Sequence, residues 1–504
     1  MDERVERAVE LAILIVAPWP LARLCAARPF HQRLAAHPGK LGGMAAAALA
    51  YLSLVALLAV GPIWPARIAA ALAIVASIAA WWHARPGYGS ARGLPPGSLA
   101  LAQLGMVQDD RFLLREAERH GPVFKTARYG RSIACVMGLR RGAELLRDAG
   151  DALGSGALPF SQLIPGGFIR YMSAADNVCY RAVLARALPN ELVLASAPAV
   201  EAAAKAALTR LAAACEADGV GVSPAPHLRD LTYEVMVGLF FGIGPADPRA
   251  ARMRELYPLI EVPTLARAGS GRVKAAMAEL TALANGAAEE SHRRRAAGAA
   301  PVCALDRLAG DEPEILADPT LMGNLVYLVE TGGRDVADLL TWCLKMLADH
   351  PDWWRRLQTA VRAGGSDDLA GRIVAETLRL EQSEYIVRTA ERPIRIGDYR
   401  IPAGWLVRVC VRESHREPAI FPEPDRFDPD RFLGRRFGPT EYSPLGMGNH
   451  SCLGRAIVQV TAPTALTVLA SDFDWHPTAD GPREFGAFHW MPSRRFRIAV
   501  SRRS

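Results

Sequence analysis

The stretch YSPLGMGNHSCLGRA, residues 442–456, constrains this chain more than any other. It sets glycines around a lone thiol, Cys452, at the entrance of an apolar, helix-like segment, CLGRAIVQVTAPTALTVLA. The exposed N–H groups and the positive dipole end of a helix favour a thiolate over a thiol at that place. Gly446 and Gly448 lack side chains, so the loop can press flat against a planar macrocycle, and Gly454 lets the first helical turn approach the same face. A thiolate presented in this way is a ready axial ligand, and His450, two residues earlier, is placed to hydrogen-bond a carboxylate on the ring's rim. A lone cysteine beside a glycine turn is equally a packing residue when taken by itself, so its companions must decide.

The other cysteines (25, 135, 179, 215, 303, 343 and 410) are scattered without a C-x-x-C pair, which argues against a zinc site and against a disulfide framework. A reducing compartment follows. With 504 residues, half of them hydrophobic, the chain can bury a large core. Its net charge of +7 is carried mainly by arginine. That excess suits an acidic protein partner or a membrane surface, and without an aromatic-interleaved basic stripe it excludes nucleic acid.

Residues 1–40 read as an interfacial or cytosolic segment, because Glu10 and the Pro18/Pro20 break interrupt the apolar run 8–24. From Leu41 to Trp64 there is no charge, and about 20 apolar residues cross a hydrocarbon core of about 30 Å. A second uncharged run ends at Trp82, so 41–83 is expected to form a transmembrane hairpin with spans 41–61 and 65–82, turned by Gly61, Pro62 and Pro65; the second run, short for a span, reads alternatively as a buried core helix or an interfacial segment. Basic residues gather before the first run and after the second, which puts both ends in the cytosol. Residues 84–98, rich in Gly and Pro, read as a linker, and 99–504 as the catalytic domain. The Ala/Arg-heavy, Lys-poor composition suits a GC-rich bacterial genome and hence an inner-membrane location with the catalytic domain in the cytoplasm.

Beyond the linker, VFKTARYGRSIACVMG alternates around a Tyr-Gly turn and predicts a β-hairpin. Helical spacing covers 140–150, 174–188, 190–217, 228–242, 270–297, 319–348 and 367–381, strands return near 386–411, and 417–445 is irregular. The fold class is therefore mainly α with small β-sheets (α+β).

Residues 442–454 resemble the haem-binding signature of the cytochrome P-450 monooxygenases, Phe-Gly-x-Gly-x-Arg-x-Cys-x-Gly, with Leu445 in place of the aromatic and His450 in place of the Arg. The resemblance runs from about Leu94 to the C-terminus and implies a cytochrome P-450 fold, here preceded by the transmembrane hairpin. It implies heme b, iron protoporphyrin IX, with Cys452 as the metal ligand and His450, Arg388, Arg181, Asn177, Gly446, Gly448 and Gly454 around the ring. Asn177 stands where the family carries His, so its contact is expected to be weaker. ETLR, with Glu376 and Arg379 at i, i+3, resembles the family's buried Glu-Arg-Arg network, and Arg426 in FPEPDRFDPDRF is taken as its third member.

In LVYLVETGGRDVADLLTWCLKML, Gly332, Gly333 and Asp335 are similar to the family's oxygen-facing motif. Paired glycines weaken a helix by about 1 kcal/mol each relative to Ala, so a local opening is expected there, with Asp335 as the acid that feeds protons inward. Val336 stands where the family has Thr, and an isopropyl group neither donates nor accepts a proton. The resemblance implies a monooxygenase acting on a hydrophobic small molecule. Electrons must come from a ferredoxin or flavodoxin-type donor and its NAD(P)H reductase, received near Arg186 and Arg455. Val336 keeps open a peroxide-dependent or non-oxygenating haem-thiolate enzyme, and a haem-binding sensor without turnover stands as the non-enzymatic alternative. By the same analogy the pocket is walled by 153–172, 244–270, the helix at Gly332, 383–387 and 485–491.

Overall fold

A computed structural model of the chain describes residues 93–97, 109–128, 131–155, 162–261, 270–364, 368–382, 386–448, 451–486 and 489–503. The expected membrane hairpin 41–83 and the segment 1–40 lie outside the described residues. Among the described residues, no single helix is long and apolar enough to cross a membrane.

In chain order the helices are α1 (Phe112–His120), α2 (Leu139–Asp148), α3 (Ala174–Ala187), α4 (Asn190–Ala195), α5 (Ala197–Asp218), α6 (Ala225–Phe241), α7 (Pro248–Leu256), α8 (Gly271–Ala296), α9 (Ala304–Asp311), α10 (Pro319–Asp349), α11 (Pro351–Arg362), α12 (Leu369–Leu380), α13 (Val411–Ser414) and α14 (Arg455–Asp472). The strands are β1 (Val123–Arg128), β2 (Arg131–Val136), β3 (Leu153–Gly154), β4 (Ile386–Ala390), β5 (Ile394–Ile396), β6 (Tyr399–Ile401), β7 (Leu406–Val409), β8 (Phe473–Ala479), β9 (Glu484–Phe485), β10 (Trp490–Met491) and β11 (Arg497–Arg502). The mainly helical reading with small sheets therefore holds. The described residues divide into two compact units, one holding those up to Cys135 together with Ala390–Arg408, the other holding the rest.

In the first unit β1, β2 and β7 lie side by side, and β5 pairs antiparallel with β6 across a turn in which Gly397 takes a φ of 58°. The Pro-Pro-Gly segment expected to be linker is docked on this unit. The Lys125 amide donates to the Pro96 carbonyl (2.7 Å), and Lys125 Nζ donates to that of Pro95 (2.6 Å). Gly97 pairs with Lys125 at a φ of 111°, where a Cβ would overlap the Lys125 carbonyl oxygen.

The second unit is a helical core with short sheets, β8 pairing antiparallel with β11 near the C-terminus. Local chemistry sets its boundaries. Ser173, Ser270, Asp318 and Asp368 cap α3, α8, α10 and α12 by accepting backbone N–H groups of the first turn. The single helix expected over 190–217 is two helices meeting at Ser196, because Pro198 occupies the first turn of a new helix and cannot sit inside an older one. Likewise Pro351 separates α11 from α10.

Helix α10 runs through the core for 31 residues without interruption. The expected opening at Gly332 and Gly333 is not there. Both glycines instead let α6 come close, since a Cβ on Gly333 would lie 2.6 Å from a ring carbon of Tyr233, and one on Gly332 would lie 2.6 Å from the terminal methyl of Met236. Tyr233 is in turn stacked on Tyr257, with ring centroids 5.1 Å apart. A Met terminus can swing away, whereas a ring held in a stack cannot. We expect Gly333→Ala to cost about 1–3 kcal/mol by overpacking. Gly332→Ala should come out near neutral, because the better helix propensity of Ala, about 1 kcal/mol, offsets a small methyl shift. Urea denaturation of the two variants checks the difference.

Candidate functional site

Glu376 and Arg379, one turn apart on α12, are both fully buried and face each other in a two-point contact, Nε to Oε2 at 2.6 Å and Nη2 to Oε1 at 2.8 Å. Such a pair survives burial only when its remaining hydrogen-bonding capacity is filled. Here all five guanidinium donors are used, the others reaching the carbonyls of His415 (3.0 Å), Pro424 (2.7 Å) and Arg426 (3.2 Å). Glu376 Oε1 also accepts from the Asp428 amide at 2.9 Å and from Arg431 Nε at 3.3 Å.

The third member of the network is thus Arg431 and not Arg426. FPEPDRFDPDRF contains the tripeptide Asp-Arg-Phe twice, and only the second copy sits on the short 3-10 turn Pro429–Phe432 whose entrance is bonded to Glu376. Arg426 points outward, with 59% of its side chain exposed, and pairs with Glu423 at 3.0 Å. It contributes its backbone carbonyl alone.

From this hub the chain passes to the cysteine loop. Tyr442 Oη donates to the Ala375 carbonyl of α12 (2.7 Å), Ser443 Oγ to the Pro439 carbonyl (2.6 Å), and the Cys452 amide to the Leu445 carbonyl (2.8 Å). Gly446 and Gly448 take φ values of 78° and 67°, a left-handed backbone that glycine alone adopts without strain, and a Cβ on Gly448 would point into open space. Cys452 precedes α14 and is exposed, whereas Cys135, Cys215, Cys303, Cys343 and Cys410 are buried. His450 lies outside the described residues.

The remaining expected ring contacts divide. Arg181, half-buried on α3, donates to the Ser451 carbonyl at 2.7 Å, and burial lowers its pKa while the neighbouring Cys452 pulls it the other way. It stands beside the thiol. Arg388 is buried, with one donor on the Val387 carbonyl. Gly454 is tolerant, since an added Cβ would meet Cys452 Sγ at an ordinary 3.7 Å. Asn177 is buried, and its Nδ2 donates to the Ile169 carbonyl (2.6 Å) while Asn324 of α10 accepts the Ile169 amide (2.7 Å), so one of its two amide hydrogens pins the 3-10 turn Ile169–Tyr171. Much of the expected pocket wall, residues 156–161, 262–269, 383–385 and 487–488, lies outside the described residues.

A haem with thiolate ligation fits what is present: an exposed thiol at a helix entrance, left-handed glycines beside it with Gly448 opening onto space, and Arg181 and Arg388 as cations for an anionic rim. Cys452 would hold the iron.

On α10, Arg334 touches three carboxylates, Glu330 at 3.2 Å, Asp335 at 3.1 Å and Asp338 at 3.8 Å. Glu330 is fully buried and Asp338 nearly so, whereas the Asp335 side chain is 48% exposed. Burial pushes the Glu330 carboxyl up to about 8 and that of Asp338 up to about 6. One guanidinium shared among three acids does not offset the desolvation of the deepest. Val336 is buried, and the Thr331 hydroxyl is turned onto its own helix, toward the carbonyls of Tyr327 (3.3 Å) and Leu328 (3.4 Å). Arg186, expected to receive an electron donor, is paired with Glu312, and Arg455 is exposed.

Two outcomes follow for stability. Truncating Arg431 to Ala strands one face of a buried carboxylate and should cost about 3 kcal/mol, against less than about 0.5 kcal/mol for Arg426→Ala, as read by denaturant titration. An acid whose folded pKa lies above its unfolded value binds its proton more tightly in the native state, so Glu330 withdraws stability as pH rises from about 4.5 to about 8. Glu330→Gln should flatten that part of the stability–pH curve and gain over wild type at pH 8 but not at pH 4, as unfolding midpoints would show.

Comparison with known proteins converges on one group. The family model for cytochrome P450 matches residues 272–495. A putative cytochrome P450 135B1 of Mycobacterium tuberculosis is 31% identical over 265 residues, 48% of this chain and 55% of that protein, so the chain spans about half the length of these first curated relatives. Abscisic acid 8'-hydroxylase 3 of Oryza sativa is 25% identical over 425 residues, 77% of this chain and 83% of the relative. The retinoic acid-bound cyanobacterial CYP120A1 shares the fold with a TM-score of 0.64 at 20% identity, covering 82% of this chain and 100% of that structure. With the thiol-bearing glycine loop and the buried Glu376–Arg379–Arg431 hub behind it, the chain is similar to the cytochrome P450 family over residues 272–495 and shares the fold of its solved members.

Proposed function

We propose that this protein is a haem-thiolate monooxygenase that inserts one oxygen atom from O2 into a hydrophobic small molecule, with electrons from a separate donor. The observation that carries the reading is the exposed Cys452 at the entrance of α14, reached from a hub whose buried charges are fully satisfied. The rice relative named as a hydroxylase supports it. Haem, when bound, supplies oxygen binding and oxidising power, and the thiolate ligand favours O–O cleavage.

The chain's own residues then have separable roles. Cys452 ligates, Arg388 and Arg181 hold an anionic rim, and buried Val336 with its apolar neighbours keeps water from the reacting carbon. Asp335, the most open acid of its cluster, is the one carboxylate beside Arg334 that α10 presents to solvent. A ferredoxin or flavodoxin-type donor and its reductase supply the electrons. Because Arg186 is engaged by Glu312, docking falls to Arg455 and its surroundings. The uncharged runs within 41–83 support anchoring in a bacterial inner membrane, with the catalytic part in the cytoplasm.

One observation favours a second reading. With Val336 buried and the Thr331 hydroxyl held by backbone carbonyls, neither offers a proton-relay hydroxyl beside Asp335, which suits an enzyme driven by peroxide. Turnover of an apolar substrate panel decides between them. The monooxygenase reading expects product that requires O2 and reduced donor, and Val336→Thr should raise product formed per O2 consumed by several-fold. Product formed with peroxide, and not with donor plus O2, establishes the second reading.

A further inference from the structure

His415 lies in the irregular section between β7 and the cysteine loop, in the sequence ESHREP, and is completely buried. Its Nε2 accepts the amide hydrogen of Ser443 at 3.0 Å. Its own carbonyl accepts Arg379 Nη1 at 3.0 Å, so one residue touches the Glu376–Arg379 hub through its backbone and the stem of the cysteine loop through its ring. The ring is caged by Tyr442, with centroids 5.1 Å apart, and by Phe421 in an edge contact at 6.2 Å, while Arg379 lies over Phe421 at 5.0 Å.

An imidazole can accept at Nε2 only when that nitrogen carries no proton. Burial, followed by the positive charges of Arg379 and Arg416, pushes the His415 pKa down to about 3, so the accepting form is the one present at neutral pH. Ser443 is fixed on its other side as well, its carbonyl accepting the Gly446 amide at 3.1 Å and its hydroxyl bonded to Pro439. Leu445 follows two residues on, and its carbonyl accepts the Cys452 amide across the turn that holds the left-handed Gly446 and Gly448.

We propose that His415 is the positioning residue of the cysteine loop: its ring nitrogen, by accepting the Ser443 amide, transmits the rigidity of the Glu376–Arg379 hub to the segment that presents the Cys452 thiol. The bond matters because it joins the residue whose carbonyl sits on Arg379, in the cluster at 415, 424 and 426, directly to the segment 443–452. Without the acceptor, the Ser443 N–H is left buried and unpaired, and the stem must shift to find a partner.

The test uses the full chain with two substitutions. His415→Gln keeps an acceptor within reach of the Ser443 amide, and His415→Phe keeps a flat ring but removes the acceptor. The first measurement is amide hydrogen exchange over 443–452 in haem-free protein. The second, on haem-loaded protein, is the fraction of the reduced, carbon monoxide-bound form that shows the long-wavelength Soret band of thiolate ligation. His415→Phe should speed exchange across the stem at least tenfold and move most of the band to shorter wavelength, and His415→Gln should stay within about threefold of wild type in both. Unchanged exchange and an unchanged band in His415→Phe overturn the proposal, as does an equal loss in both variants, which would mark ring volume and not the acceptor as the requirement. The inference rests on the haem-thiolate reading only for its second measurement. A wild-type protein without the long-wavelength band sinks that reading, while the exchange experiment still decides the role of His415.

Discussion

The buried pair of Glu376 and Arg379 is the constraint on which the site depends. The stretch from 415 to 431 is rich in proline and contains little regular structure, so its backbone has few ladder or helix bonds of its own. Three of its carbonyls, at 415, 424 and 426, are instead gathered by one guanidinium. Arginine suits this task because its donors are arranged in a rigid plane and its charge cannot be lost. The pairing with Glu376 then fixes the plane itself, and Arg431 locks the second side of the carboxylate. Desolvating three charged groups is costly. It is tolerated here because the donors of Arg379 are all matched and because the geometry secured is that of an otherwise irregular chain.

That geometry is passed on by short contacts and not by regular secondary structure. Tyr442 ties the loop stem to the α12 backbone, His415 ties it to the hub, and Arg181 of α3 reaches the loop's far end at Ser451. The loop between is short of side-chain bulk, with backbone angles reserved for glycine at 446 and 448. A thiol held at both ends of such a loop keeps its direction without being covered, which is what a metal ligand needs and what the buried cysteines elsewhere in the chain do not have.

Much of this was legible in the sequence, and the failures have physical causes. The glycine-cysteine loop, the hairpin at 123–136 and the long core helix were read correctly because each carries a local signal: left-handed glycines, alternation around a turn, and an uninterrupted apolar period. Arg426 was taken for Arg431 because identical tripeptides five residues apart differ only in which one rests on Glu376, a long-range fact. The Gly332/Gly333 pair was read as an opening because helix propensity is local, whereas their role is set by Tyr233 and Met236 on another helix. The bond from Asn177 to the Ile169 carbonyl, eight residues away along the chain, carries no local signal either. His415 passed unnoticed, since a histidine in an irregular stretch carries no periodicity, and only its burial against Ser443 reveals what it does.

Helix α10 shows how one element separates charge from chemistry. Arg334, Glu330 and Asp338 form a ladder along one flank, buried against α6 and its surroundings, and burial alone is enough to keep a proton on Glu330 near neutrality. Gly332 and Gly333 also face α6, packed on Met236 and Tyr233, so they contribute closeness to that contact, while Val336 is buried. Asp335 is the link between the two sides, bonded to Arg334 yet half open.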